Sequence, residues 1–152
     1  MIVSDGHTWP AFVARVKTVT RRLWLPKTAA KFRAGFVFDK WDKSPRCRGK
    51  PIGRCRMLED ARLEPLADMP DDDYRAEGFA WMHEHPWTIP WSARKAIWAQ
   101  GDCSFEAFDA WRRGGGSMWV VRYEILSIDP AAKGRLKELL SERPATARRP
   151  KR

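Results

Sequence analysis

The sequence predicts an α+β fold, in which a small mixed β-barrel is flanked by short helices. Short stretches with strand-like alternation are interleaved with short segments that carry helix caps. The regular strand–helix alternation of a parallel sheet is absent, which favours α+β over α/β. The chain has 152 residues, of which 43% are apolar, so it is large enough for one core and too small for two comfortable ones.

The first part of the chain is predicted to contain a helix followed by strands. Residues 9–16 have helical spacing of apolar side chains, and Pro10 suits the first helical turn. Residues 17–24 alternate β-branched and polar side chains, which indicates a strand or a loop. A strand is predicted to start at residues 36–38, and residues 52–58 have the alternation of a half-exposed strand.

The middle of the chain is predicted to be helical with one irregular insert. Residues 68–78 have the chemistry of a short helix, with Asp68 as a cap and Gly78 as a stop. Residues 79–103 are rich in Trp and Pro and read as an irregular insert. A second helix is predicted over residues 104–111, which place three aromatic side chains on one face.

The last part of the chain is predicted to close the domain. Residues 118–126 form the strongest strand pattern of the sequence, and a final helix is expected over residues 131–140. Residues 1–140 are thus predicted to form a single domain. Residues 141–152 are rich in Arg and Pro and are expected to be a disordered basic tail.

The charge of the chain is unevenly distributed. The formal net charge is +10, and residues 1–56 hold 14 Lys and Arg against three Asp. Residues 57–92 instead hold nine acidic and two basic side chains. A basic N-terminal third in a chain with nine tryptophans favours a nucleic-acid partner, because cations contact phosphates and aromatic rings stack on bases. The alternative is a solvated, highly soluble surface that binds no partner.

The sequence also indicates where the protein is located and whether its cysteines are oxidised. No apolar segment resembling a signal peptide follows the first residues, and no uncharged run approaches the roughly 20 residues that span a membrane. The three cysteines are few and widely spaced, which indicates reduced thiols. We therefore expect a cytoplasmic protein without a membrane partner.

Two motifs resemble a known family. Residues 17–22 read Lys-Thr-Val-Thr-Arg-Arg after a short predicted helix, and residues 77–79 read Glu-Gly-Phe at the end of the acidic stretch. In this order, with further blocks between residues 9 and 126, they resemble the ASCH domain family, whose members share a PUA-like β-barrel. The resemblance implies a PUA-like fold and a link to RNA or to nucleosides.

The resemblance also implies a catalytic set. Small ASCH relatives hydrolyse the amide of acylated cytidine with a lysine, a threonine and a glutamate, which correspond here to Lys17, Thr20 and Glu77. Ribonuclease activity is attributed to other members. No cofactor is expected for amide hydrolysis, and a divalent metal would be needed only by a metal-assisted ribonuclease.

The residue types are compatible with that chemistry. A lysine in its neutral form could take the proton of Thr20, whose oxygen would attack an amide carbonyl, while Glu77 orients the lysine or returns a proton to the leaving amine. Arg21 or Arg22 would bind a phosphate or stabilise the oxyanion. In the alternative interpretation, Lys17 and the two arginines only contact RNA phosphates, Thr20 is an ordinary strand residue, and Glu77 ends a helix.

Three functions therefore remain open. The first is hydrolysis of N4-acetylcytidine or a related group in RNA or a free nucleoside. The second is a noncatalytic RNA-binding module, and the third is a metal-assisted ribonuclease. No metal site is predicted. The residues expected to contact nucleic acid are basic or aromatic and lie mainly in the N-terminal third: Arg21, Arg22, Arg33, Trp41, Lys50, Arg54 and Arg56.

Overall fold

The fold is built on one mixed, curled sheet. A computed structural model describes residues 1–89 and 103–142 of the chain. Six strands form the sheet, and their bounds are β1 Ile2–Ser4, β2 Val19–Arg22, β3 Val37–Trp41, β4 Pro51–Met57, β5 Arg62–Pro65 and β6 Ser117–Ile128.

Strand β6 is central to the sheet, because it pairs with β2, β4 and β5. The order is β1-β3-β4-β6-β2, with β1 parallel to β3 and the other pairs antiparallel. β4 pairs with residues 123–128 of β6, and β5 pairs with residues 117–120. Because β2 occupies the opposite side of β6, β5 continues the line of β4. The result is a half-barrel whose two edge strands are β1 and β2.

Six short helices surround the half-barrel in the described part of the chain. Their bounds are α1 Trp9–Val13, α2 Pro26–Ala29, α3 Asp73–Ala76, α4 Phe79–Glu84, α5 Phe105–Arg113 and α6 Pro130–Ser141. The two longest begin at side-chain caps. The Ser104 hydroxyl accepts a hydrogen bond from the Ala107 amide, and the Asp129 carboxylate accepts from the amides of Ala131 and Ala132.

The core lies on the inner face of the sheet. Four aromatic rings at its centre contact one another edge-on or tilted: Phe12, Phe32, Phe38 and Tyr123, each at most 1% exposed. Edge-to-face packing of this kind adds to the free energy gained from burying apolar area. A second apolar cluster, centred on Phe108, lies between α4, α5 and the turn before α3.

The α+β class and the mixed sheet predicted from the sequence are confirmed. The predicted helix over residues 68–78 is wrong in extent. Asp68 belongs to a 3₁₀ turn, Leu66–Asp68, and the helix proper is Asp73–Ala76. Met69 is buried beside that turn, and the chain has to turn at Pro70 before α3 can start.

Part of the predicted insert is regular. Residues 79–103 were expected to be irregular, yet they begin with α4 and a 3₁₀ turn, Pro86–Thr88. The rest of that segment, residues 90–102, and all but the first two residues of the predicted disordered tail lie outside the described residues. Among the described residues, no helix has the length and apolar character needed to cross a membrane.

Candidate active site

Strand β2 presents its side chains to two different environments. Thr20 lies opposite Val121, which belongs to the core cluster on the inner face, whereas Arg21 lies opposite Val120 on the other face. Successive side chains of a strand point to opposite faces. The side chains of Thr20 and Arg21 therefore lie on opposite faces of β2.

Lys17 and Glu77 meet although 60 positions separate them. The Lys17 Nζ lies 3.1 Å from the Glu77 Oε2, 2.8 Å from the Glu77 carbonyl oxygen and 2.9 Å from the Val19 carbonyl oxygen. These three acceptors match the three donors of an ammonium group. Lys17 is 2% exposed and Glu77 is 3% exposed, so the ion pair is shielded from solvent.

The backbone at Gly78 brings these two residues together. Gly78 has a φ of +88°, and a Cβ placed there would lie 2.7 Å from the Ala11 Cβ and 3.4 Å from the Lys17 Cβ. Only glycine combines this left-handed conformation with so close an approach. The Glu-Gly pair at the end of α3 thus serves to seat the carboxylate against Lys17.

Arg21 is the centre of a second set of buried charges. Its guanidinium donates to Glu77 Oε1 at 2.9 Å, to Glu64 Oε1 at 2.6 Å and to Asp73. We call Arg21, Glu64, Asp73 and Glu77 the carboxylate network. Although burial opposes its charge, these three carboxylates raise the pKa of Arg21 above its usual value.

Asp73 is held ionised by two arginines. Burial alone would raise the pKa of Asp73, but hydrogen bonds from Arg122 and Arg21 hold it below its usual range. Arg122 contacts both oxygens of this carboxylate at 2.9 Å. The prediction that Arg21 contacts nucleic acid is therefore corrected, because its guanidinium is buried and both of its terminal nitrogens bond protein carboxylates.

Thr20 lies beside these charges without contacting them. It is 1% exposed, and its hydroxyl has no hydrogen-bond partner among the described residues. The Val19 carbonyl that accepts from Lys17 belongs to the peptide bond preceding Thr20. The structure thus joins Lys17 to Glu77 directly, whereas the Thr20 hydroxyl lies on the inner face of β2 and contacts neither of them.

Arg22 closes the open side of the half-barrel. Its guanidinium donates to the Ser4 carbonyl at the end of β1 and lies 3.7 Å from Asp5 Oδ1. The side chain therefore bridges the two edge strands. Arg22 was predicted to contact nucleic acid, and the structure gives its half-buried guanidinium this structural role.

Four polar residues of the interior were missed by the sequence analysis. Asp5 and Lys40 form a buried ion pair of 2.5 Å, and Tyr123 and His7 lie close to it. Burial lowers the pKa of Lys40 to about 8, against the opposing effect of Asp5. One signal was present in the sequence, since Lys40 alternates with Phe38 in β3 and so shares its inward face.

The other residues predicted to contact nucleic acid lie at the surface. Arg54 pairs with Asp39 and Arg56 with Glu124 on the outer face of the sheet, and Arg33 pairs with Asp60. Two more expected contacts lie nearby: Trp41 is half-buried, and the Lys50 side chain is exposed.

Lys50 belongs to a loop rich in unpaired cations. Residues 43–50, the basic loop, carry four exposed cations without an ion pair among the described residues: Lys43, Arg46, Arg48 and Lys50. Asp42 closes the loop by bonding to the Lys50 amide through its carboxylate at 2.7 Å and to the Lys50 carbonyl through its own amide at 3.0 Å. A Cβ at Gly49 would lie 2.1 Å from the Lys43 carbonyl oxygen, so glycine is needed for this closure.

No group of three or more His, Cys, Asp or Glu residues within 1–89 and 103–142 is arranged to hold a metal ion. The acidic side chains that do come together, those of the carboxylate network, are bound to arginines and to Lys17.

Comparison with known proteins identifies no family for this chain. No family model matches the chain, and no curated protein matches it. A crystal structure of protein EF3133 from Enterococcus faecalis V583, described with the family model DUF984, covers 84% of this chain and 76% of its own, with a TM-score of 0.47 and 13% identity. A similarity of this size does not assign the chain to a family.

Proposed function

We propose that this protein is an amide hydrolase that removes the acyl group from an N4-acylated cytidine, with Lys17, Thr20 and Glu77 as its catalytic residues. The observation that carries the proposal is the Lys17–Glu77 contact of 3.1 Å, in which Lys17 also donates to the carbonyl of Val19, the residue before Thr20. The three catalytic residues occupy the positions that the ASCH resemblance implies, and two of them lie 60 residues apart in sequence.

In the proposed reaction, Lys17 first passes a proton to Glu77 Oε2 across their contact. The neutral amine then exchanges its Val19 carbonyl contact for the Thr20 hydroxyl and accepts the hydroxyl proton. The Thr20 oxygen forms a bond to the acyl carbon, and the amide C–N bond breaks as Lys17 returns the proton to the leaving nitrogen. Lys17 then takes a proton from a water molecule that attacks the ester, and it passes this proton to the Thr20 oxygen as the ester C–O bond breaks. Glu77 finally returns its proton to Lys17, so that amide and water yield a carboxylic acid and an amine.

A glutamate that contacts both Lys17 and Arg21 suits this role. Glu77 Oε2 faces Lys17 and Oε1 faces Arg21 at 2.9 Å, so the carboxylate is fixed in position by its second oxygen. Because the carboxylate is held in place, Oε2 stays directed at Lys17 and does not have to reorganise during the proton transfer.

The test is the release of acetate from N4-acetylcytidine by the purified protein in the presence of a chelator. Wild-type protein is expected to turn over, and Lys17→Met is expected to lose at least about 100-fold in kcat, as is typical for loss of a general base. Arg54→Met, which alters an exposed ion pair of the outer face, is the control and should retain full activity. Equal turnover by wild type and Lys17→Met would contradict the proposal.

A second candidate function, RNA binding without catalysis, is favoured by the basic loop. Its four cations are exposed and unpaired in the described part of the chain, as expected of groups that contact phosphates. Changing all four to glutamine should weaken binding of single-stranded RNA and reduce the slope of log K against log salt by up to about 3. Changing four other exposed lysines, Lys27, Lys31, Lys133 and Lys137, to glutamine is the matched control, and equal losses in both sets would contradict a role for the loop.

A further inference from the structure

A cavity of about 290 Å³ lies between the loop before β2 and the two helices α3 and α4. We call it the α4 cavity, and its lining consists of three apolar and two charged side chains: Val16, Ala80, Trp81, Arg75 and Glu84. This volume is at the small end of the range for ligand pockets, so the cavity suits a molecule about as large as an amino acid. None of these residues belongs to the proposed catalytic set, so a ligand bound here is independent of the proposed function.

The walls of the α4 cavity are held in place by the surrounding fold. The Thr18 amide donates to the Ala76 carbonyl at 2.8 Å, which ties the loop before β2 to the end of α3. Trp81 packs against the core, and its ring is stacked on that of His85 with 4.1 Å between the ring centres. The cavity is therefore formed before any ligand binds, as ligand pockets usually are.

The two charged residues of the lining are exposed and do not pair with each other. Arg75 belongs to α3, and Glu84 is the last residue of α4. Within residues 1–89 and 103–142, neither side chain has an ion-pair partner. Ala80 and Trp81 precede Glu84 by four and three positions, so they share its face of α4. The lining thus combines an available cation, an available carboxylate and an apolar surface.

Two other cavities in the described part of the chain are also lined by an arginine and an aspartate, but there the two charges pair. In one of them Arg33 lies 3.4 Å from Asp60. In another, along β4 and β6, Arg54 lies 3.2 Å from Asp39. The charges of the α4 cavity, by contrast, remain open to a bound molecule.

A ligand that carries both charges would satisfy both residues. A carboxylate matches the guanidinium of Arg75, which can donate two parallel hydrogen bonds to it. An ammonium group matches the carboxylate of Glu84 and is also attracted to an indole ring such as that of Trp81. A simple anion would leave the glutamate without a partner, and a simple amine would leave the arginine without one. The apolar part of the lining would cover an apolar group of the ligand.

We propose that the α4 cavity binds a free α-amino acid with an apolar side chain. The ligand's carboxylate contacts Arg75, its ammonium group contacts Glu84, and its side chain lies against Trp81. Binding there is reversible and leaves every covalent bond of the ligand intact.

Three small molecules that share one branched apolar chain test the two charges separately. L-Leucine carries both charges, 4-methylpentanoate lacks the ammonium group, and 3-methylbutylamine lacks the carboxylate. Calorimetric titration of the full-length wild-type protein should show binding of L-leucine. The other two compounds should bind at least about tenfold more weakly, as expected for the loss of one charge-assisted contact.

Two variants remove the charges from the protein instead of the ligand. Arg75→Gln and Glu84→Gln should each reduce the affinity for L-leucine at least about tenfold. Both residues are exposed and have no ion pair in the described part of the chain, so the Tm should not change. Arg33→Gln and Asp60→Asn are the matched controls, because they make the same changes of charge in another cavity, and they should leave L-leucine binding unchanged.

Several outcomes would overturn the inference. One is a lack of L-leucine binding by the wild-type protein. Another is an equal affinity for L-leucine and either of the two singly charged compounds, because one of the charged residues would then be unused. A third is a loss of the same size in Arg33→Gln as in Arg75→Gln, since the net charge of the protein and not the α4 cavity would then determine binding.

Discussion

Replacing Arg21 by methionine is expected to remove a large part of the free energy of unfolding. Its guanidinium is 1% exposed as a side chain and faces three carboxylates, those of Glu64, Asp73 and Glu77. Methionine fills much of the same space but leaves these carboxylates without their shared cation.

The size of the loss follows from what remains after the substitution. Asp73 keeps Arg122, Glu77 keeps Lys17, and Glu64 keeps Arg62 at 3.1 Å. The loss is therefore that of one broken buried ion pair, about 3–5 kcal/mol, and not three times that amount. Since small domains have a total stability of about 5–15 kcal/mol, this is a severe effect for one side chain.

Urea denaturation of wild type, Arg21→Met and Arg54→Met measures the difference. Arg54 also pairs with an aspartate, at 3.2 Å, but its side chain is 62% exposed, so its loss should cost at most about 1 kcal/mol. Where Arg21→Met is too unstable to purify, Arg21→Lys keeps the positive charge but loses the planar guanidinium that bonds several carboxylates at once. An intermediate loss in the free energy of unfolding is expected for this variant. A loss below about 1 kcal/mol for Arg21→Met would refute the structural role of this residue.

Two further predictions concern acid stability and backbone strain. Burial, aided by the Lys17 charge and opposed by Asp5, lowers the pKa of His7 from 6.5 to about 4. Between pH 4 and 6.5, His7 is therefore mostly protonated in the unfolded chain and mostly neutral in the folded protein. The free energy of unfolding should therefore fall by about 3 kcal/mol as the pH drops from 6.5 to 4. Urea titrations across that range should show a smaller fall for His7→Gln, and an equal fall in both proteins would contradict the prediction. Gly78→Ala should be more destabilising than Gly115→Ala, because both have positive φ but only at Gly78 would the Cβ meet other atoms, whereas nothing lies within 4 Å at Gly115. Equal melting temperatures of these two variants would show that the close approach to Ala11 and Lys17 is not tight.

Local features of the fold were largely predictable from the sequence. The helix that begins after Ser104, the helix that begins after Asp129 and the long strand β6 all appear close to their expected places, because caps and apolar periodicity act within a few residues. The helix predicted over residues 68–78 was longer than α3, because an acidic run with a proline suits a turn as well as a helix start.

The site was only partly predictable, for a physical reason. Lys17, Thr20 and Glu77 were named from a resemblance, but the partners of Arg21 lie 43 to 56 positions away and no local pattern encodes them. An arginine in a basic segment is naturally interpreted as a surface cation unless the face of the strand on which it lies is known. The alternation of β2, with Thr20 on one face and Arg21 on the other, was the available signal, and it separates the two roles once the strand is assigned.

The turnover of N4-acetylcytidine by two Thr20 variants tests the central claim most directly. Thr20→Ser keeps a hydroxyl and Thr20→Val keeps the shape and removes it, so both should fold, and the valine variant should have an equal or higher Tm because the hydroxyl has no partner in the described part of the chain. Hydrolysis of the acetyl group should persist in wild type and Thr20→Ser and be lost in Thr20→Val. Full turnover by Thr20→Val, or no turnover by folded wild-type protein, would contradict the assignment of Thr20 as the nucleophile of an amide hydrolase.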